Sequence, residues 1–311
     1  MNATTQSQFV AVADRSMLRL SDILHRSEQQ ILQIADDTSS HYRTISIPKS
    51  SGGERTIHCP SREIKELHRC LLAFLYKNKK VSKFAHGGVP GRSTQTCAEK
   101  HVGQKYVATL DIANFFPSVT HRHIFTIFSE LGFAAPIVEV LTDLTTVDGR
   151  LPQGAPTSPM LANLALYGLD SIVIRYCKNR KLKYSRYLDD LVISGDSINT
   201  GIKGTIKSSL SHFDFELAES KFKFMGPDMA HDVLGFTVNN SLRPSKAYAE
   251  RLESDIDLSI ENGISIFAAK ECLSFRKAKG RLNGQVSYLE NHMAKQASRL
   301  RGKLNDVRWD G

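Results

Sequence analysis

Residues 185–195 read SRYLDDLVISG, and they decide how the rest of the chain is interpreted. Asp189 and Asp190 stand side by side in an apolar, β-prone run that closes on Gly195. Successive strand side chains point to opposite faces, and like charges in apolar surroundings repel each other and lose hydration. A tight turn between Lys183–Tyr187 and Leu191–Ser194 would remove the first difficulty by aiming both carboxylates at one place. An exposed β-turn, where aspartate is common, is the plainer reading of the same residues.

A third carboxylate bears on that choice. Asp111 follows the apolar run Tyr106–Leu110, and strands distant in sequence can be neighbours in one sheet. Three converging carboxylates repel strongly unless divalent cations bind between them, and an all-oxygen site of this kind suits magnesium. Two such ions roughly 3.5–4 Å apart activate a 3′-hydroxyl and stabilise a departing pyrophosphate. Nearby, GRLPQGAPTSP offers the Gln153 amide beside Gly154, where the backbone can approach a ligand closely. In IPKSSGGERTIH, Lys49 and Arg55 flank a glycine-containing tip and could clamp a triphosphate.

The composition fits that chemistry. The 311 residues carry a formal net charge of +9, which favours a polyanionic partner, nucleic acid before membrane. No apolar run approaches the ~20 residues needed to span a bilayer, and the N-terminus lacks a secretory pattern. The five scattered cysteines form no C-x-x-C pair, so neither a disulfide framework nor a zinc site is expected, and a reducing cytoplasm is the default compartment. The basic excess is concentrated in FRKAKGRLNGQVSYLENHMAKQASRLRGKLNDVRW, with Tyr288 and Trp309 suited to stacking or to core packing.

Pattern and punctuation divide the chain into α+β elements. Residues 15–37 have apolar positions at helical spacing, and YRTISIPKSSGGERTIHCP reads as a hairpin. A helix follows from Ser61 as N-cap, then an irregular glycine-rich loop, FAHGGVPGRSTQTC. VATLDIANFF is a strand breaking off near Pro117, and Ser158–Pro159 open a helix running to about Cys177. Short β-like pieces, FKFMG and DVLGFTVN, precede a helical tail from about Ser245. This order implies an antiparallel sheet followed by a small helical domain.

The series KSSGGERTIHCP, TLDIANFFPSV, LPQGAPTSP, YLDD and VLGF resembles the fingers-and-palm motifs of reverse transcriptases over about residues 40–245. The resemblance implies a right-hand polymerase: N-terminal helices and fingers in 1–105 with palm elements interleaved, an antiparallel-sheet palm in 106–244, and a small basic helical thumb in 245–311 that binds RNA. It makes Asp111, Asp189 and Asp190 the catalytic, metal-binding aspartates, joined by the Ile112 carbonyl, around two Mg2+ ions that Mn2+ can replace. Phe116 becomes the steric gate against a ribose 2′-hydroxyl. Lys49, Arg55, Gln153, Gly154 and Lys221 become contacts to the deoxynucleoside triphosphate, and Leu234, Gly235 and Phe236 the primer grip.

Among reverse transcriptases the chain is most similar to the short bacterial enzymes of retrons. The retron pattern N-A-x-x-H stands here as Cys97-Ala98-Glu99-Lys100-His101, without the asparagine, and V-T-G stands as Val233-Leu234-Gly235. The retron resemblance implies a structured noncoding RNA as primer and template, and a branched RNA-linked DNA product. It also implies anti-phage defence with a separately encoded effector protein, and no membrane partner. RNA contacts would come from His101, Arg276, Lys277, Arg281, Arg299, Arg301 and Lys303. A bacterial reverse transcriptase of another defence class, a group II intron relative, and a binding scaffold that has lost synthesis are the alternatives.

Overall fold

A computed structural model describes residues 16–48, 54–199, 201–270, 273–290 and 292–309. Among the described residues nine strands form three sheets: β1 (Tyr42–Pro48) with β2 (Glu54–Pro60); β3 (Tyr106–Asp111), β4 (Lys183–Tyr187), β5 (Asp190–Gly195) and β6 (Lys223–Met225) in the order β4-β5-β3-β6; and β7 (Asp232–Val233), β8 (Phe236–Thr237) and β9 (Arg243–Pro244) in sequence order. Helices fill most of the intervals, giving the mixed helix and antiparallel-sheet class expected of a polymerase of this kind. No helix among the described residues is long and apolar enough to cross a membrane.

The chain forms two compact units. The first comprises residues 1–93, 109–193 and 199–223; the second comprises 94–108, 194–198 and 224–311. In the first, β1 and β2 pair antiparallel from Tyr42↔Pro60 to Pro48↔Glu54, as the two runs around Ser-Gly-Gly predict. Helix Arg62–Asn78 begins at Ser61, whose Oγ accepts the Ile64 amide at 3.4 Å, and buries Ile64, Leu67, Leu71 and Leu75 at the 3–4-residue spacing of one face.

Two expected helices are each broken. Residues 16–24 and Glu28–Asp36 are separate, because His25 takes a left-handed φ of 53° and Ser27 caps the second helix in a capping box with Gln30. The pattern from Ser158 divides at Leu166 into Ser158–Ala165 and Tyr167–Asn179. The β3 strand also stops earlier than Pro117. It ends at Asp111, Asn114 turns left-handed at φ 43°, and Phe115–Ser118 is a short helix.

In the second unit, Ser245 caps Lys246–Asn262 by accepting the Tyr248 amide at 3.0 Å. Helices Ile264–Lys270, Phe275–Glu290 and Ala294–Leu304 complete a bundle around Leu252, Ile256, Phe267, Leu282, Val286, Leu289 and Leu300. Trp309 packs against this core and takes the Lys279 ammonium over its ring at 4.8 Å. Tyr288 packs edge-on against Phe236 and Tyr248. Both aromatic residues are therefore engaged in packing.

Candidate active site

The β4–β5 hairpin turns through two residues, Leu188 and Asp189, with Leu188 left-handed at φ 54°. Asp189 thereby leaves the alternation of the strand, and Asp190 opens β5. The Ile112 amide, one residue beyond the end of β3, donates to the Asp189 carbonyl at 3.2 Å. This bond sets the end of β3 against the turn, so Asp111 and Asp189 become neighbours although they are far apart in the chain.

Their proximity is visible electrostatically. Burial, and then the negative charge of Asp111, push the Asp189 carboxyl up to about 6. Lys221 and Arg55 act in the opposite sense on the same carboxyl. Lys221 is brought in by backbone pairing: Ile112 bridges Leu217 antiparallel, Ala218 N–H donates to the Asp111 carbonyl at 2.8 Å, and the following 3-10 turn ends at Lys221. Its Nζ lies 2.9 Å from Asp111 Oδ1, forming an ion pair in which the lysine side chain is still half exposed.

The structure therefore brings Asp111, Asp189 and Lys221 together, with Arg55 within electrostatic reach. The donor set of the aspartates is carboxylate oxygen throughout, and one oxygen already holds an ammonium. Paired hard-oxygen ligands whose repulsion Lys221 and Arg55 only partly offset fit a divalent cation. A separate group, His121, Glu139 and Asp143, also gathers possible ligand atoms, with His121 Nε2 at 3.2 Å from Glu139 and 3.5 Å from Asp143. It shares no residue with the sequence-derived candidates.

The other candidates of this unit are linked by short backbone connections. His58 N–H, in the same strand as Arg55, donates to the Gln153 carbonyl at 2.8 Å. Gly154 follows at φ +128°, and a Cβ there would stand 2.5 Å from the His58 carbonyl oxygen, so this crossing needs glycine. Leu151 N–H donates to the Val119 carbonyl, tying the same segment to the short helix that carries Phe116. Phe116 is half-buried against Phe115, with ring centroids 5.5 Å apart. Lys49 lies outside the described residues.

The second unit carries the remaining candidates. Leu234 (φ 51°) and Gly235 (φ 88°) make the two-residue turn between β7 and β8, and Phe236 is buried beside Tyr248 and Tyr288. His101 is fully buried, with its Nδ1 2.6 Å from Ser194 Oγ, so its ring is committed inside the unit. Arg276, Lys277 and Arg281 are exposed on helix Phe275–Glu290. Arg299 pairs with Glu253, Arg301 with Glu290, Asn283 and Ser287, and Lys303 with Glu253 and Asp257. Three of the proposed RNA contacts are thus internally ion-paired at the surface.

Sequence reading missed a buried polar group directly behind the turn. Arg186 is fully buried and grips Asp170 bidentately, Nε to Oδ1 at 2.9 Å and Nη2 to Oδ2 at 2.8 Å. Tyr184 donates to the same Oδ1 at 2.6 Å. The available signal was Asp170, a lone carboxylate in the apolar run LYGLDSIVI; Arg186 shares SRYLDDLVIS with two aspartates and carries no signal of its own. A second missed group is His68, buried with Thr157 Oγ1 at 2.6 Å, the Leu144 carbonyl at 3.0 Å and Tyr42 OH at 3.2 Å; burial pushes its imidazole down to about 4.

The family described as reverse transcriptase (RNA-dependent DNA polymerase) matches residues 47–238. The retron Mx65 reverse transcriptase of Myxococcus xanthus is 34% identical over 280 residues, covering 84% of this chain and 63% of that protein. The retron Ec86 reverse transcriptase of Escherichia coli is 33% identical over 202 residues, covering 64% and 63% respectively. The matched part thus spans less than two thirds of these relatives' length. Among solved structures, apo telomerase from Candida tropicalis is similar at a TM-score of 0.49 and 9% identity, over 85% of this chain and 60% of that one.

Proposed function

The chain belongs to the reverse transcriptase (RNA-dependent DNA polymerase) family, and from that premise we propose that it is a retron-type RNA-directed DNA polymerase. The observation that carries this reading is the meeting of Asp111, at the end of β3, and Asp189, in the β4–β5 turn, beside Lys221. Asp111, Asp189, Asp190 and the Ile112 carbonyl would hold two Mg2+ ions, with Mn2+ as a substitute. Such ions, when bound, lower the barrier to attack by a 3′-hydroxyl on a nucleoside triphosphate and to departure of pyrophosphate.

The chain's own residues supply the remaining roles. Lys221 keeps one Asp111 oxygen neutralised and, being half exposed, can release it to carry a proton to the leaving pyrophosphate. Arg55, with Lys49, clamps the triphosphate. The Gln153 amide, with Gly154 packed against His58 beside it, contacts the incoming nucleotide, and the Phe116 ring excludes a ribose 2′-hydroxyl. Leu234, Gly235 and Phe236 hold the primer end.

In this reading residues 1–105 contribute fingers, 106–244 the palm and 245–311 a basic thumb. The thumb grips a structured noncoding RNA through phosphates and 2′-hydroxyls. Arg276, Lys277 and Arg281 are its outward cations, and Arg299, Arg301 and Lys303 exchange carboxylates for phosphates on binding. The RNA primes and templates a branched RNA-linked DNA in the cytoplasm, in an anti-phage system with a separately encoded effector.

The test is to purify the chain from its host and sequence the nucleic acid that copurifies. One structured RNA joined to complementary DNA is expected. RNA without covalent DNA, together with no incorporation of deoxynucleotides on any primed RNA, would refute the reading.

A further inference from the structure

The turn that carries Asp189 is not stable on local grounds. Leu188 has a bulky side chain in the left-handed region, which L-residues enter only when their surroundings impose it. Two contacts impose it here. Arg186 Nη1 donates to the Leu188 carbonyl at 2.8 Å and to Asn163 Oδ1 at 3.0 Å. On the other side, Gly87 packs so closely that a Cβ would lie 2.6 Å from Leu188 Cγ and 2.7 Å from the Leu188 amide nitrogen.

These two contacts belong to one assembly. Asn163 donates through Nδ2 to the Gly87 carbonyl at 2.8 Å. The Arg186 backbone accepts from His86 at 2.7 Å and donates to Phe84 at 2.8 Å, so the segment before Gly87 runs alongside β4. The start of the glycine-rich loop, residues 84–87, is therefore the bed of the turn. Burial disfavours the guanidinium charge, but Asp170 and its hydrogen bonds outweigh this and keep the group firmly protonated.

We infer that Arg186, held by Asp170, is a positioning residue for Asp189: with Asn163 and Gly87 it locks the Leu188 carbonyl and fixes where the catalytic carboxylate points. This rests on the polymerase reading. Arg186 and Asp170 are fully buried, out of reach of a substrate. A carboxylate misplaced by about 1 Å at a reacting centre can cost ~100-fold in rate.

The test uses the full chain with Arg186→Met and Asp170→Asn combined, which removes both buried charges together and leaves none stranded. Gly87→Ala is a second variant that keeps the ion pair and pushes on the turn instead. Three properties are measured: thermal unfolding, amide hydrogen exchange of the 185–192 peptide, and steady-state DNA synthesis. Both variants are expected to stay folded, to exchange at Leu188–Asp190 at least ~10-fold faster, and to lose roughly 100-fold in kcat, with KM for the deoxynucleotide within about 3-fold. A fall in kcat that only follows the folded fraction overturns the inference, as does unchanged exchange in the turn. A parent chain that makes DNA beside variants that make it equally well overturns the positioning role alone. A parent chain that makes none overturns the polymerase reading, and exchange then decides whether Arg186 holds the turn.

Discussion

Arg186–Asp170 and the Lys303–Glu253–Asp257 group use the same chemistry in opposite surroundings. The first pair is 0% and 1% exposed at its side chains; in the second, Lys303 is 31% exposed, Asp257 43% and Glu253 20%. A buried pair holds one geometry because the loss of either partner strands a charge away from water. A surface pair gains little over hydration, so its cation can leave a carboxylate for a phosphate at small cost. The same family of contacts fixes the turn in one unit and leaves a basic surface available in the other.

The largest effect expected from breaking this contrast is at the paired carboxylates themselves. Asp111→Asn removes one of two repelling charges, so the fold should keep or gain stability while DNA synthesis drops below detection; measurable synthesis would remove Asp111 from the chemistry. Arg186→Met alone strands Asp170 and should destabilise by ~3–5 kcal/mol in urea unfolding. A loss under 1 kcal/mol would place that pair with the surface ones.

His68 sharpens the comparison, because it is buried without an ionic partner and stays neutral. Its imidazole, pushed down to about 4, takes up a proton in the unfolded chain before it does so in the folded one. Stability contributed by His68 is therefore intact above pH ~6.5 and falls as the pH drops toward 4, by about 3 kcal/mol in total. Urea unfolding between pH 7 and 4 should show this slope, and His68→Gln should flatten it.

Phe116→Ala tests an uncharged member of the site. It should raise ribonucleotide incorporation roughly 10–200-fold relative to deoxynucleotide, and unchanged sugar selection would end its role as gate. Smallest is Lys303→Ala, worth ~0–1 kcal/mol of stability. Its readout is RNA affinity, whose logarithmic salt slope should shallow by ~0.7–0.9 if one phosphate contact is lost.

The hairpins and the capped helices were legible because period-2 runs, a Ser-Gly-Gly tip and serines at helix starts are local signals. The convergence of Asp111 with Asp189 was legible only through the order of the motifs, since the Ile112–Asp189 bond lies far apart in the chain. The break at His25 carries no glycine or proline to mark it, and at Leu166 the nearby Gly168 lies inside the second helix. Arg186 reads as a solvent-facing strand residue unless its partner Asp170, in the preceding helix, is known. Likewise, the acids that pair with Arg299 and Lys303 lie on a helix more than forty residues earlier. The region of greatest basic excess in sequence is thus partly neutralised in space.

The central claim is that Asp111 and Asp189 form one cation-binding catalytic cluster. It is tested most directly by manganese anomalous diffraction from crystals of the chain with a primed RNA and a non-hydrolysable deoxynucleotide. The account expects manganese peaks bridging the carboxylates of Asp111 and the Asp189–Asp190 turn and the nucleotide phosphates. Peaks confined to His121, Glu139 and Asp143, with none between Asp111 and Asp189, would contradict it.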